Sequence, residues 1–255
     1  MHQLRAKVFG AVAVAGALVL SGGPVLVAAS AAPSPAPLTC HGGPIDSGSY
    51  SSITVDGPCF VLDGAVINVV GNINVGAGAM FDAQSAPSTI TVGRNVTGAA
   101  GSLVGLGCQP NPPSGSPSAH PCEANPTGSS TILVKGNVSI TDATAALLNG
   151  ITVKGNVTIT GGGSPFIPWS IKNNTIDGNL TVSDLMVTWV GALFNTVGKN
   201  LSLTNITITD VAEEGGSLDV YVVRNTIGRN LNCSGLSGTA AYGNVVGRNS
   251  TGQCA

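Results

Sequence analysis

The sequence predicts an all-β fold, a single-stranded parallel β-helix (β-solenoid) of about eight coils near 21 residues each, with disulfide-closed ends. Three observations predict it. A short phrase, G-N-V or G-N-L in its commonest form, recurs at a nearly fixed step, as in "VKGNVSI" from Val134 and "IDGNLTV" from Ile176. Apolar and small polar residues alternate around that phrase. The composition suits tight corners and narrow strands, with 36 glycines, 4% aromatic and 9% charged residues. Low charge with positive mean hydropathy is the opposite of a disordered composition.

The chain has 255 residues. Its first segment, residues 1–31, has the order of a secretory signal peptide: Arg5 and Lys7, then "VFGAVAVAGALVL", then the small residues "AASAA". The apolar run is short for a membrane span. No second long run follows, so no membrane span is expected in the mature chain. Cleavage removes two basic residues and no acidic one, leaving a chain more acidic than the formal −2 of the whole. That excludes a general nucleic-acid binder, which needs a basic surface.

Residues 32–39 read as a Pro-rich, extended lead-in, and 40–255 as the solenoid domain. Aligned on asparagine, eight copies appear: Asn72, Asn95, Asn137, Asn156, Asn179, Asn200, Asn230 and Asn249. The steps are 23, 42, 19, 23, 21, 30 and 19 residues. The residue three before the Asn is Val or Ile in every copy, from Val69 to Val246. The residue one after is Ile, Val or Leu in all but the last, where Ser250 stands. The residue two after is always Ser, Thr or Asn. Apolar, polar, apolar is the period of a half-buried strand. One such strand buries little, whereas a stack of them covers itself rung by rung.

The recurring Asn is expected to stack at one corner, each amide bonding its neighbour and the turn backbone. Asn tolerates corner conformations, and an unmade buried hydrogen bond costs about 1–3 kcal/mol. A second ladder is expected in the later coils, five residues upstream, at Asn174, Asn195, Asn225 and Asn244. The earlier coils carry Ile67, Ile90, Ile132 and Ile151 there.

These coils, with their Asn stacks and aliphatic interior rows, resemble secreted right-handed parallel β-helix proteins, roughly from Ile53 to Cys254. That resemblance implies an architecture and not an activity, because the group includes polysaccharide lyases and hydrolases as well as adhesins and non-catalytic surface proteins.

The two long steps read as insertions. The one near 106–130 contains "CQPNPPSGSPSAHPC", too rich in proline for ladder strands. The one near 210–219 contains "DVAEEGGSLD". Six cysteines lie beyond the cleavage point, and an even count in a secreted chain suggests disulfides. Of the fifteen pairings the six allow, neighbours in sequence are favoured: Cys40–Cys59, Cys108–Cys122 and Cys233–Cys254.

Chemistry is sparse. Asp210, Glu213, Glu214 and Asp219 form an acidic group, which glycoside hydrolysis or calcium binding would use and a solvated loop would also explain. His41 and His120 sit beside cysteines, and neither a G-x-S-x-G nor a phosphate loop occurs. No catalytic residue, metal site or cofactor is expected. Arg94, Lys135, Lys154, Lys199, Arg229 and Arg248 cluster at the repeat corner, where they suit solubility first and an anionic polymer second. Two rows, Ser139, Thr158, Thr181 and Ser202 with Thr141, Thr160, Ser183 and Thr204, make a polar outer face. Trp169 is expected in a protruding turn, and Trp169 and Trp189 would either stack on sugars or pack beneath a loop.

The leading functional expectation is a secreted, non-catalytic surface, cell-wall-associated or adhesive module whose partner is a polysaccharide. The alternatives are a carbohydrate-active enzyme on the same scaffold and an ice-binding surface.

Overall fold

The computed structural model describes residues 34–110, 119–209 and 219–255. The expected signal segment 1–31 lies outside them. The described chain forms three all-parallel sheets, each built from one short strand per coil. Sheet A has ten strands, from Leu38–Cys40 to Ser250–Gly252. Sheet B has nine, from Gly43–Ile45 to Thr239–Tyr242. Sheet C has nine, from Gly48–Tyr50 to Val245–Val246. Each coil runs through A, then B, then C, and returns to A one rung higher. Ten rungs at the usual spacing between paired strands make a rod of roughly 45 Å.

Register follows the sequence repeat. Ile73 pairs with Val96, Val96 with Val138, Val138 with Val157, and Val157 with Leu180. Val92, Val134, Val153, Ile176 and Val197 stack likewise in sheet C. All of these side chains are buried. Together they form aliphatic columns that replace the aromatic core of a globular domain. A one-residue slip would turn a whole column outward, so burial fixes register on every rung.

The stack holds ten sheet A strands, where about eight coils were expected from the Asn copies. The two additional rungs are Leu38–Cys40 and Ile53–Val55, so the first falls inside the segment read as a lead-in. Both keep an apolar, polar, apolar triad, and Ser52 or Pro37 stands where later rungs have Asn. The strand pattern therefore outlasts the corner signature that marks it in sequence.

The corner glycines answer to crowding between rungs. A Cβ on Gly228 would lie 2.3 Å from the Gly198 carbonyl oxygen, and one on Gly155 2.3 Å from Asn137 Oδ1. Disulfides join Cys40 to Cys59, Cys108 to Cys122 and Cys233 to Cys254, and no cysteine is free. The first and last tie neighbouring rungs at the two ends of the stack.

Trp169 departs from expectation. It begins the sheet B strand Trp169–Lys172, is fully buried, and donates Nε1–H to the Thr144 carbonyl at 3.1 Å. The preceding rung offers only Ala143, Ala145 and Ala146 at its buried positions before Leu148, which leaves room for an indole in an otherwise aliphatic core.

Candidate functional site

The corner between sheets C and A carries the first Asn column. The Asn95 N–H donates to Asn72 Oδ1 at 3.0 Å, and the same bond repeats from Asn137 to Asn95, Asn156 to Asn137 and Asn179 to Asn156. It continues from Asn200 to Asn179, Asn230 to Asn200 and Asn249 to Asn230. Each carbonyl thus accepts from the rung above, toward the C-terminus. Side-chain amide donation tightens along the column, from 3.4 Å at Asn95 to 2.9 Å at Asn200. This column is partly exposed. Each Oδ1 accepts from the backbone N–H of the next Asn and, from Asn72 to Asn200, from its side-chain amide too, so the column holds the corner together.

The corner between sheets B and C carries the second column, and it is buried: Asn174, Asn195 and Asn225 are at most 1% exposed. Here the polarity reverses. Asn174 donates to Asn195 Oδ1, Asn195 to Asn225 Oδ1 and Asn225 to Asn244 Oδ1, all at 3.0 Å through Nδ2. Each Nδ2 also donates to a carbonyl on the preceding turn, such as Leu148 O, Ile171 O and Ala192 O. Where Ile replaces Asn, the ladder closes on backbone: the Ile151 N–H donates to Asn174 Oδ1. The residues just before these Asn hold positive φ, namely Asn173, Phe194, Arg224 and Gly243.

The outer face of sheet A is a polar plane. One column runs in register over all ten rungs: Thr39, Thr54, Asn74, Thr97, Ser139, Thr158, Thr181, Ser202, Asn232 and Thr251. A second column, two residues on, aligns Thr141, Thr160, Ser183, Thr204 and Ser234. No charged residue interrupts either. Some hydroxyls bond along the column, as Thr97 Oγ1 does to Asn74 Oδ1 at 3.0 Å. Most carry no such bond among the described residues.

The outer face of sheet B is different, and the sequence repeat gives no signal for it. A hollow of about 560 Å³ is walled by Leu147, Ile167, Pro168 and Trp189, with His120, Ser170 and Lys172 as its polar groups. A second hollow of about 390 Å³ shares Lys172 and Trp189 and adds Leu193, Tyr221 and Tyr242. Trp189 and Tyr221 are ring neighbours, 5.7 Å between centroids. Lys172 Nζ donates to the Ala119 carbonyl at 2.9 Å. Burial holds the Lys172 ammonium below the usual lysine pKa. His120 is pushed down by burial and by Lys172, against a smaller upward pull from Asp82. Its Nε2 meets Gln84 Nε2. Cys108–Cys122 and the Gln109–His120 bridge hold this rim.

Neither a protein-family model, a curated protein nor a solved structure matches this chain. Function is therefore read from its surfaces.

Among the acidic residues, Asp210, Glu213 and Glu214 lie outside the described residues, and Asp219 leads into the strand Val220–Val223. Asp142 and Asp184 share one corner column with Gly161 between them and Asn205 beyond. The Asn205 Nδ2–H donates to Asp184 Oδ1, and that bond, with a second from Ser183, lowers the Asp184 pKa. No cluster of three metal-ligating side chains occurs among the described residues. Arg94, Lys135, Lys154, Lys199, Arg229 and Arg248 are all exposed along the A–C corner. Only Lys154 has an ion pair there among the described residues, with Asp177 at 3.1 Å. His41 pairs with Asp56 in the first coils.

Proposed function

We propose that the protein is a secreted, right-handed, non-catalytic β-solenoid that works as a surface or cell-wall-associated module. In this reading the sheet A face binds an extended, hydroxyl-rich polysaccharide. One observation carries it: the unbroken column from Thr39 to Thr251, with its partner column from Thr141 to Ser234. A polymer of regular repeat meets the same hydroxyl and amide groups at each rung spacing, about 4.8 Å. Those groups stand on a scaffold already fixed by disulfides and ladders, so little ordering is needed on binding. The absence of charge in both columns fits a neutral, hydroxylated partner. Secretion is supported by the N-terminal segment and by six cysteines that are all disulfide-bonded, as in an oxidising compartment.

The test is retention on insoluble plant and bacterial polysaccharides, with product release read in the same tubes. The wild type should be retained and release no product. Thr158→Lys with Thr181→Lys should reduce retention at least tenfold without changing the melting temperature. Retention unaffected by these changes would sink the reading, and product release would favour the enzyme alternative. The paired rows Thr158/Thr160, Thr181/Ser183 and Ser202/Thr204 support ice binding as a second reading, which thermal hysteresis of the same variants decides.

A further inference from the structure

We infer that the larger hollow on sheet B is a binding site for a small amphipathic carboxylate, an apolar body bearing one carboxylate that pairs with Lys172. The site is separate from the polar face of sheet A, and the inference does not rest on that face's role.

The volume, about 560 Å³, is that of a small-molecule site. Its walls are aliphatic and aromatic, through Leu147, Ile167, Pro168 and Trp189. Its polar groups are mostly committed. Ser170 Oγ donates to Asn149 Oδ1 at 3.2 Å, and His120 Nε2 is engaged by Gln84. Lys172 is the exception. An ammonium has three donors, and Nζ uses one of them, on Ala119 O. No carboxylate of the described residues pairs with it. A half-buried cation beside apolar walls loses solvation and recovers little of it from one carbonyl. A ligand carboxylate supplies the missing charge and takes the remaining donors as charge-assisted hydrogen bonds. Asn149, the rung partner of Lys172, lies behind Ser170, whose hydroxyl donates to its Oδ1. It is 1% exposed and its Nδ2 has no protein acceptor among the described residues.

The same features select against other ligands. A polyhydroxylated sugar finds few open hydrogen-bonding groups here. A neutral apolar molecule leaves Lys172 unpaired, and a cation is repelled. Lys172 and Trp189 also border the second hollow, so an apolar chain longer than the first hollow has a place to continue beside Tyr221.

The experiment is a fluorescence titration of the full disulfide-bonded chain. Trp189 is the reporter, since Trp169 is enclosed in the core. The probes are decanoate, 1-decanol and decyltrimethylammonium, each below its micelle concentration. Decanoate should bind at least tenfold more tightly than decanol, and decyltrimethylammonium should not bind. Lys172→Met should bring decanoate down to the level of decanol, while Lys172→Arg retains most of the preference. Thr158→Lys with Thr181→Lys should leave decanoate binding unchanged, which separates this site from sheet A. Equal affinity for decanoate and decanol overturns the inference, as does unchanged decanoate binding in Lys172→Met or no decanoate binding at all. If Lys172→Met fails to fold, the acid-against-alcohol comparison on the wild type decides alone.

Discussion

The Asn195 side chain donates Nδ2–H to Asn225 Oδ1 at 3.0 Å, toward the C-terminal end of the rod, while one corner away Asn200 donates to Asn179 Oδ1 at 2.9 Å, toward the N-terminal end. Two amide columns of opposite polarity thus run through the later coils. The buried one also donates to backbone carbonyls of the preceding coil, at Leu148, Ile171 and Ala192. Its removal and the removal of the exposed one should differ sharply in cost.

Asn195→Ala leaves the Asn174 N–H and the Ile171 carbonyl without partners inside the core. At about 1–3 kcal/mol for each of these two buried orphans, the loss should be about 2–6 kcal/mol. Asn156→Ala, in the partly solvated column, should cost about 1 kcal/mol because water replaces the lost bonds. Denaturant unfolding of both variants checks the difference. Equal losses would mean that the two columns do the same job.

Converting Cys233 and Cys254 to Ser opens a link between residues 21 apart in sequence. The loop-closure estimate for that length is about 3 kcal/mol. The loss should appear as fraying of the last coil, seen by hydrogen exchange in Thr239–Gly252 before the central rungs. Uniform exchange along the rod would contradict this.

Gly228→Ala should destabilise by about 2 kcal/mol or more, because its Cβ would meet the Gly198 carbonyl oxygen at 2.3 Å and backbone must shift. Gly64→Ala offers the contrast. Nothing lies within 4 Å of a Cβ there, but φ is +73°, so the cost is conformational and about 1 kcal/mol. Thermal unfolding should rank the two in that order.

His120 has a folded pKa below its ordinary value, chiefly through burial and then through Lys172. A base with a depressed folded pKa binds fewer protons when folded than when unfolded. Stability is therefore full above the unfolded pKa, near 6.5, and falls as pH drops through the folded value. Among the charged groups facing it, Lys172 adds to the effect and Asp82 opposes it. Acid should loosen the rim around Cys108–Cys122 first, and His120→Gln should flatten the stability profile below pH 6.5. An unchanged slope in that variant would remove His120 from the account.

The rungs were legible because every coil repeats one chemical requirement at the same corner. Val or Ile inside, a small amide at the bend and a hydroxyl outside leave a signal at each step of about 21 residues. The rung Ile53–Val55 lies in the segment read as solenoid although Ser52 replaces its Asn, whereas the first rung, Leu38–Cys40, was not legible, because Pro37 replaces the Asn on which the copies align and the Pro-rich stretch before it reads as an extended lead-in. Trp169 was misplaced because "SPFIPWS" reads as a turn, although its last residues begin a strand. The sheet B hollow had no sequence signature at all. Lys172, His120 and Trp189 lie at unrelated offsets, and only the stacking of coils and the folding-back of a disulfide-linked excursion bring them together. Repeats report what is common to all coils, while a site is made of what differs between them.

The passage from sheet C to sheet A keeps its short length throughout, from Val69 to Ile73, Val92 to Val96 and onward to Val246 and Ser250. Both long excursions leave from the other two corners. The Asn-lined seam therefore acts as a ruler that resets alignment once per turn, whatever the chain has done in between. A protein organised in this way accepts new segments at two of its three edges without losing count, and variety in recognition can accumulate there while the seam keeps the scaffold unchanged.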